Sequence, residues 1–340
     1  MDSLTQIVLG AACGEAVLGK KIGNKALLFG AIGGTIPDLD VMVGGWLYHN
    51  EIDVMLFHRG FMHSILFSVV AAFTLGWLIH KLYDSGKRKH LTTKKDWILL
   101  FFWSLFTHPI LDCFTPYGTQ LFAPFGNYRI AFNNIAVADP AYTLPFLICL
   151  IVLLFFRRTS TKRRKWLKWG IGLSSAYMLF TLVNKLYIDS VFRASLNTAQ
   201  IEAVRFSTQP AILNNILWYA VAETPTAYYV ADYSLFDTEP CFINFKEIPK
   251  QRDLKPSDYQ DVNRLAWFSN QYYSIYKLNA TEYEYNDLRY PILDAEHPNR
   301  SVFSMKLYKD NNRLNMKPFA PKFDSFKEVF LLLWERVKGI

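Results

Sequence analysis

Six side chains suited to holding a metal ion or moving a proton stand in three short stretches of this chain. They are Asp38 and Asp40 in TIPDLD (35–40), His58 and His63 in HRGFMHS (58–64), and His108 and Asp112 in THPILD (107–112). His108 and Asp112 are four apart, so on a helix the imidazole and the carboxylate share one face and can hold a single cation. The same spacing also suits a plain His to Asp hydrogen bond, and Pro109 marks a helix start or kink there. In TIPDLD, Pro37 ends an apolar run; either Asp can cap a helix, whereas two carboxylates so close favour a bound cation. In HRGFMHS, Gly60 loosens the turn between the two histidines, and His63 opens the next apolar stretch with Ser64 beside it. Together, two or three neutral imidazoles and two or three carboxylates form a nitrogen and oxygen donor set suited to zinc or manganese. A site of that kind which keeps a water is a hydrolytic device. A spare carboxylate, Asp38 or Asp40, could take the proton, with His58 and Arg59 as further catalytic candidates. Arg59 could neutralise a phosphate oxygen or equally anchor at lipid headgroups.

Only a fold can gather stretches so far apart, and the composition says which kind. The 340 residues are 51% hydrophobic and 19% charged, too apolar for an ordinary water-soluble surface and far from a disordered or fibrous chain. The net charge of +8 lies wholly in the first part: residues 1–190 hold 19 Lys or Arg against 11 Asp or Glu, and residues 191–340 hold 18 of each. The basic residues cluster between apolar runs, the pattern of a polytopic membrane protein, so nucleic acid is not the expected partner. Apolar stretches at 64–79, 97–111, 141–156 and 169–183 predict membrane helices, slightly short of the roughly 20 residues a span needs. Residues 3–19 and 26–36, Gly-rich and divided by Lys20, Lys21 and Lys25, predict a helical hairpin that crosses only in part. With their flanks the helices are expected at about 3–19, 26–36, 63–81, 96–112, 140–157 and 167–188. No cleavable signal peptide is evident, since the first stretch opens with Asp2 and lacks a basic leader.

Loop charges set the expected direction. Residues 80–96 carry six Lys or Arg and residues 157–168 carry seven, so both are expected in the cytoplasm. Loops 37–62 and 112–140 hold only Arg59 and Arg129 and are expected outside, which puts all three acidic and histidine stretches at one membrane face. Ionisable groups beside apolar helices cost several kcal/mol unless paired, solvated or metal-bound, so the convergence needs a reason. Residues 191–340 then lie outside the cytoplasm. Segments 216–222, 227–236, 272–278 and 302–308 there read as strands, and 258–273 and 324–338 as helices. The expected fold is therefore a mainly α polytopic bundle (1–190) followed by a smaller extracytoplasmic β-rich, α+β domain (191–340).

The opening MDSLTQ, PDLD, HRGFMHS and HPILDCFTPYGTQLFAPF resemble the YdjM-type membrane-bound metal-dependent hydrolases of the inner membrane, over about residues 1–190. That family is similar in metal-ligand order to zinc-dependent phospholipase C, an α-helical enzyme that hydrolyses phosphodiesters with clustered zinc ions. The resemblance implies metal ligation by an Asp of PDLD, Asp40 preferred and Asp38 next, and by His63, His108 and Asp112. It implies one or two ions. The family usually has His where this chain has Gln6, a much poorer ligand, which bears on a second ion bridged by Asp112.

The leading expectation is a multi-pass membrane hydrolase of phosphoester bonds in lipid or cell-envelope substrates, with membrane lipids around it. The competing one is a non-catalytic interaction protein braced by a structural metal site. A transporter fits less well, because the charges gather at one face and no repeated helix set is visible. The loop after Asp112, with Pro116, Gly118, Pro124 and Gly126, could roof the site or be interfacial packing. Tyr117 and Tyr128 within it could touch substrate. Cys13 and Cys149 read as core residues; Cys113 and Cys241 fall on the side where a disulfide is permitted. His49, His80, His90 and His297 read as solvated.

Overall fold

The computed structural model describes residues 1–292, 301–319 and 326–339, with backbone only for 326–330. The chain divides into two compact units, Met1–Leu47 with Phe57–Leu182, and Tyr48–Leu56 with Val183–Ile340. The division falls inside a helix and not at residue 190. The short insertion 48–56, expected as part of an outer loop, belongs to the second unit.

The first unit is helical: α1 (Ser3–Ile22), α2 (Asn24–Thr35), α3 (Asp40–Leu47), then, after α4 (Glu51–Phe57), α5 (Ile65–Tyr83), α6 (Lys94–Asp112), α7 (Pro140–Leu154) and the start of α8 (Thr161–Thr198). Among the described residues, three stretches are long and apolar enough to cross a membrane: Asn24–Leu47, Ile65–Tyr83 and Thr161–Thr198. The first joins α2 to α3 through a 3-10 turn, Ile36–Leu39, so the helical course runs past Pro37 where a loop was expected. Pro37 lacks an N–H, which ends α2 without ending the helical course. Helix α6 is not among the three, although it was expected to span. Its core-facing side is buried from Trp97 through Leu100, Phe101 and Leu105 to His108 and Asp112. Thr93 and Asp96 start α6 with a reciprocal capping box.

Small residues set how closely the first helices lie. A Cβ at Gly14 would stand 2.1 Å from the Ala26 carbonyl oxygen, and one at Gly30 would stand 2.2 Å from that of Gly10. The four-residue spacing of Gly10 with Gly14 and of Gly30 with Gly34 thus brings the backbones of α1 and α2 into contact, as small residues do in membrane helix pairs. At one end of α1, Gln6 reaches Asp112; at the other, Lys21 Nζ pairs with Asp96 Oδ2 at 2.5 Å, and Arg158 donates to the Lys21 carbonyl. These ends are about 22 Å apart at 1.5 Å per residue. Arg163 of α8 is buried and bidentate on Glu15, at 2.7 and 2.6 Å, with Nη1 donating to Asn24 Oδ1 at 2.7 Å.

The second unit holds two antiparallel four-stranded meanders. The first is β1 (Arg205–Pro210), β2 (Leu217–Glu223), β3 (Ala227–Ser234) and β4 (Ile243–Pro249); the second is β5 (Tyr273–Lys277), β6 (Glu282–Asp287), β7 (Ser304–Asp310) and β8 (Arg313–Pro318). Helix α9 (Gln260–Phe268) precedes β5, and α10 (Phe326–Val337) ends the unit. Ile188, Val191, Phe192 and Leu196 of α8 pack with Trp218, Tyr233 and Phe242, which is why this unit begins before residue 190. All four expected strands form, joined by four that sequence alone did not mark.

The insertion is held by charge. Asp53 accepts from Arg264 Nη1 at 2.5 Å and from Arg313 at 2.8 and 3.0 Å, while Asp261 accepts from Arg313 Nη2 at 2.7 Å. Asn50 Nδ2 donates to the Leu314 carbonyl at 2.8 Å. Burial pushes both carboxyls up, but the hydrogen bonds from Arg313 and Arg264 outweigh it and hold them below the usual carboxylate range. A lowered folded pKa gives stability that is present above the ordinary carboxylate range, near 4, and lost as pH falls through the folded value. Asp53→Asn is expected to cost about 1.5–3 kcal/mol at neutral pH, the range for bonds to charged groups, and to flatten the acid limb of stability. Thermal melts of the full chain followed by the β-sheet circular dichroism band between pH 3 and 7 check this; parallel acid limbs would refute it.

Candidate metal centre

Each chemical stretch is placed by a helix end. Asp38 lies in the 3-10 turn that leads from α2 to α3, and Asp40 opens α3. His63 closes a second 3-10 turn, Phe61–His63, directly before Ser64, whose side chain caps α5 by accepting from Phe67 N at 3.0 Å. His108 and Asp112 occupy the last turn of α6. Four donor atoms therefore converge from three segments, one each from Asp38, His63, His108 and Asp112, all within 4.8 Å of one another.

The distances are specific. His63 Nε2 lies 3.1 Å from His108 Nε2, and 3.4 Å from both Asp38 Oδ1 and Asp112 Oδ2. His108 Nε2 lies 3.4 Å from Asp38 Oδ1 and 3.6 Å from Asp112 Oδ2. Both imidazole Nδ1 atoms are committed elsewhere: His108 Nδ1 donates to the Gly34 carbonyl at 2.6 Å, and His63 Nδ1 sits 2.9 Å from Asp40 Oδ2. The Gly34 carbonyl can only accept, which fixes the His108 tautomer and turns its Nε2 lone pair inward, whereas His63 Nδ1 faces Asp40 at ion-pair distance without hydrogen-bond alignment. Two imidazole Nε2 atoms and two carboxylate oxygens lie together, and Asp112 Oδ2 is buried with no hydrogen-bond partner. Such a gathering of donor atoms could hold a cation. Tetrahedral bonds of about 2.0–2.1 Å give edges of roughly 3.3–3.4 Å. The observed spacings fit an ion of zinc size.

The two carboxylates of PDLD occupy positions opposite to those the sequence favoured. Asp38, expected to take a proton, presents its oxygen among the donors and is 22% exposed. Asp40, the preferred ligand, is fully buried behind them. Its Oδ1 accepts from His58 Nδ1 at 2.8 Å, and its Oδ2 accepts from the Arg59 backbone N–H at 2.9 Å and faces His63 Nδ1. The reason is the tight turn: Asp38 and Asp40 project differently from it, and only one can face α6.

Arg59 is neither free for a phosphate nor a headgroup anchor, because it is 4% exposed. Its Nε stands 3.2 Å from Asp112 Oδ2, at ion-pair distance without hydrogen-bond alignment, and its Nη1 donates to Thr115 Oγ1 at 2.8 Å. Its backbone has a φ of 59°, the left-handed region that non-glycine residues avoid and that clusters at functional sites. Gln6 Nε2 donates to Asp112 Oδ1 at 3.0 Å, an oxygen that also pairs with the amino group of Met1, and Gln6 Oε1 is buried without a partner.

His58 keeps 24% of its side chain exposed, with its ring 5.6 Å from that of His63 and 5.4 Å from that of Tyr117. The loop after Asp112 holds this turn: Gln120 N donates to the Arg59 carbonyl at 3.1 Å, and Arg129 Nη2 donates to the His58 carbonyl at 2.9 Å. Thr115, Gln120 and Arg129 were not singled out by sequence; Arg129, the one basic residue of its loop, was the available signal. Tyr117 lies under the guanidiniums of Arg59 and Arg129, while Tyr128 is exposed. All four cysteines are free thiols. His49 and His90 are exposed, His80 is half-buried 3.4 Å from the Thr92 carbonyl, and His297 lies outside the described residues.

Residues 1–188, more than half of the chain, match the family model described as YdjM inner membrane protein. No curated protein and no solved structure matches the chain.

Proposed function

The chain belongs to the YdjM inner membrane protein family, and from that premise we propose that it is a membrane-bound, metal-dependent hydrolase of phosphoester bonds. Asp38, His63, His108 and Asp112 would hold the ion. A divalent metal, zinc or manganese, supplies Lewis acidity and lowers the pKa of water toward neutrality. The rest is done by the protein. Asp40 orients both His58 and His63, and such supporting partners are usually needed for full metal affinity. His58, with Nδ1 donating to Asp40, keeps Nε2 free to accept a proton beside the cluster. Arg59 balances the charge of Asp112, and Gln6 donates a hydrogen bond to it.

One observation carries this reading. A part-exposed imidazole backed by a buried carboxylate stands next to the donor group, and a merely structural site has no use for it. The competing reading, a structural metal that braces the helices of an interaction protein, is favoured by a donor count of four, which closes a tetrahedron. Against that, Asp38 is half-buried where the other three donors are fully buried, so its side of the group is the one a substrate would reach. The substrate class is a lipid or cell-envelope phosphoester, reasoned from membrane location. The basic clusters of 80–96 and 157–168 support a cytoplasmic position for their ends of the helices, and hence an outer position for the candidate metal group and for residues 191–340.

The test uses the full chain in detergent, chelated and then given zinc or manganese, with bis(4-nitrophenyl) phosphate as probe and elemental analysis alongside. His58→Asn is expected to keep the metal and lose about 10²–10⁴-fold of the rate, the usual share of a general base. Metal that raises thermal stability while wild type and variant alike turn nothing over would establish the structural reading instead.

A further inference from the structure

Between Arg157 and Lys168 the chain has seven basic residues and no acid. Arg163 is spent on Glu15, but its neighbours Lys162 and Lys165 are exposed, and neither ammonium has an ion-pair partner among the described residues. With Trp166, Trp169 and Leu173 they form one stripe of α8, at helical spacing. That stripe and Cys149 of α7 line a groove of about 500 Å³. At Gly170 a Cβ would meet Phe146 at 3.0 Å and Cys149 at 3.1 Å, so α7 and α8 lie in close contact there.

The stripe is graded along the helix. Its first two positions are cationic, the next two are tryptophans, and the last is Leu173; Trp169 and Leu173 are 63% and 43% exposed. Ammonium, indole and alkyl side chains in that order match headgroup, interface and hydrocarbon. The basic residues lie at the Lys21 and Asp96 end of the unit, far along α1 from the metal cluster, so this is a different site.

We propose that the groove binds one anionic phospholipid of the surrounding bilayer, its phosphate between Lys162 and Lys165 and an acyl chain along Trp169, Cys149 and Leu173. Charge complementarity selects the occupant: two cations without an ion-pair partner among the described residues, with the neighbouring Glu15 already taken by Arg163, favour an anionic headgroup over a zwitterionic one, and the apolar remainder accepts a chain rather than a soluble anion. The site rests on none of the catalytic argument.

The experiment titrates the detergent-purified full chain with phosphatidylglycerol brominated in its acyl chains, and separately with brominated phosphatidylcholine. Tryptophan quenching is read as the difference between wild type and Trp169→Phe. Quenching by the anionic lipid is expected at a concentration lower by roughly 10- to 30-fold, the scale of two lysines near one anionic headgroup. Lys162→Gln with Lys165→Gln is expected to erase the preference, and the paired Lys→Arg changes to keep it. Both pairs are surface changes, and unchanged circular dichroism verifies the fold. Equal quenching by the two lipids, or an unaltered preference in the Gln pair, overturns the proposal. So does protection of Trp169 that tracks chain concentration and oligomer size, which would give the groove to a second copy of the chain.

Discussion

Alanine at His63 or at His108 is expected to leave the purified protein without stoichiometric metal and without phosphodiesterase turnover. Each residue presents its Nε2 to the four-donor group; His108 is held by its Nδ1 hydrogen bond to the Gly34 carbonyl, and His63 Nδ1 faces Asp40. Loss of a supporting residue around a metal costs about 10–100-fold in affinity, so loss of a donor is expected to cost more than about 100-fold. Turnover should fall by at least about 10³-fold, since the ion contributes several kcal/mol to the transition state and each tenfold is about 1.4 kcal/mol. Asp40→Asn separates the roles: it is expected to weaken metal by about 10–100-fold without removing a donor. Metal titration and the phosphodiester assay on the same preparations decide it. Full metal content in either alanine variant would end the assignment of the donor group.

The second large effect concerns the opposite end of the helical unit. Arg163→Met is expected to destabilise this unit by about 3–5 kcal/mol, because Glu15 would remain buried without its partner. The pair is close and bidentate, and Arg163 also donates to Asn24 and to the Phe156 carbonyl at 3.0 Å, so one side chain ties α8 to α1 and α2. In a unit of this size that corresponds to a fall in melting temperature of the order of 10 °C. The double change Arg163→Met with Glu15→Gln removes both charges and is expected to recover most of the loss. A single variant that melts with wild type would show the pair to be dispensable.

Much of the candidate site was legible because its chemistry is dense. His63, His108 and Asp112 stand in short polar motifs at the edges of apolar runs, where an ionisable side chain without a purpose is costly. The choice between Asp38 and Asp40 was not legible. They are two residues apart, Asp38 in the 3-10 turn and Asp40 at the start of α3, and that turn lies against α6 only in the folded chain. The burial of Arg59 was equally invisible, since it depends on Asp112 and Thr115 arriving from a distant helix end and loop. Insertion 48–56 read as loop because its partners, Arg264 and Arg313, lie more than two hundred residues away.

By itself, the amino-acid order determined the helical membrane character of the first half, the strand-rich character of the second and the residue types that meet at the candidate metal centre. Each follows from local quantities: apolar run length, alternation and the cost of placing charge beside hydrocarbon. Tertiary structure alone decided which carboxylate enters the donor group, which imidazole is left beside it, and where one unit ends and the next begins. Those outcomes turn on which side chains come within about 3 Å of one another. Spacing along the chain does not encode that distance once the contacts join separate helices.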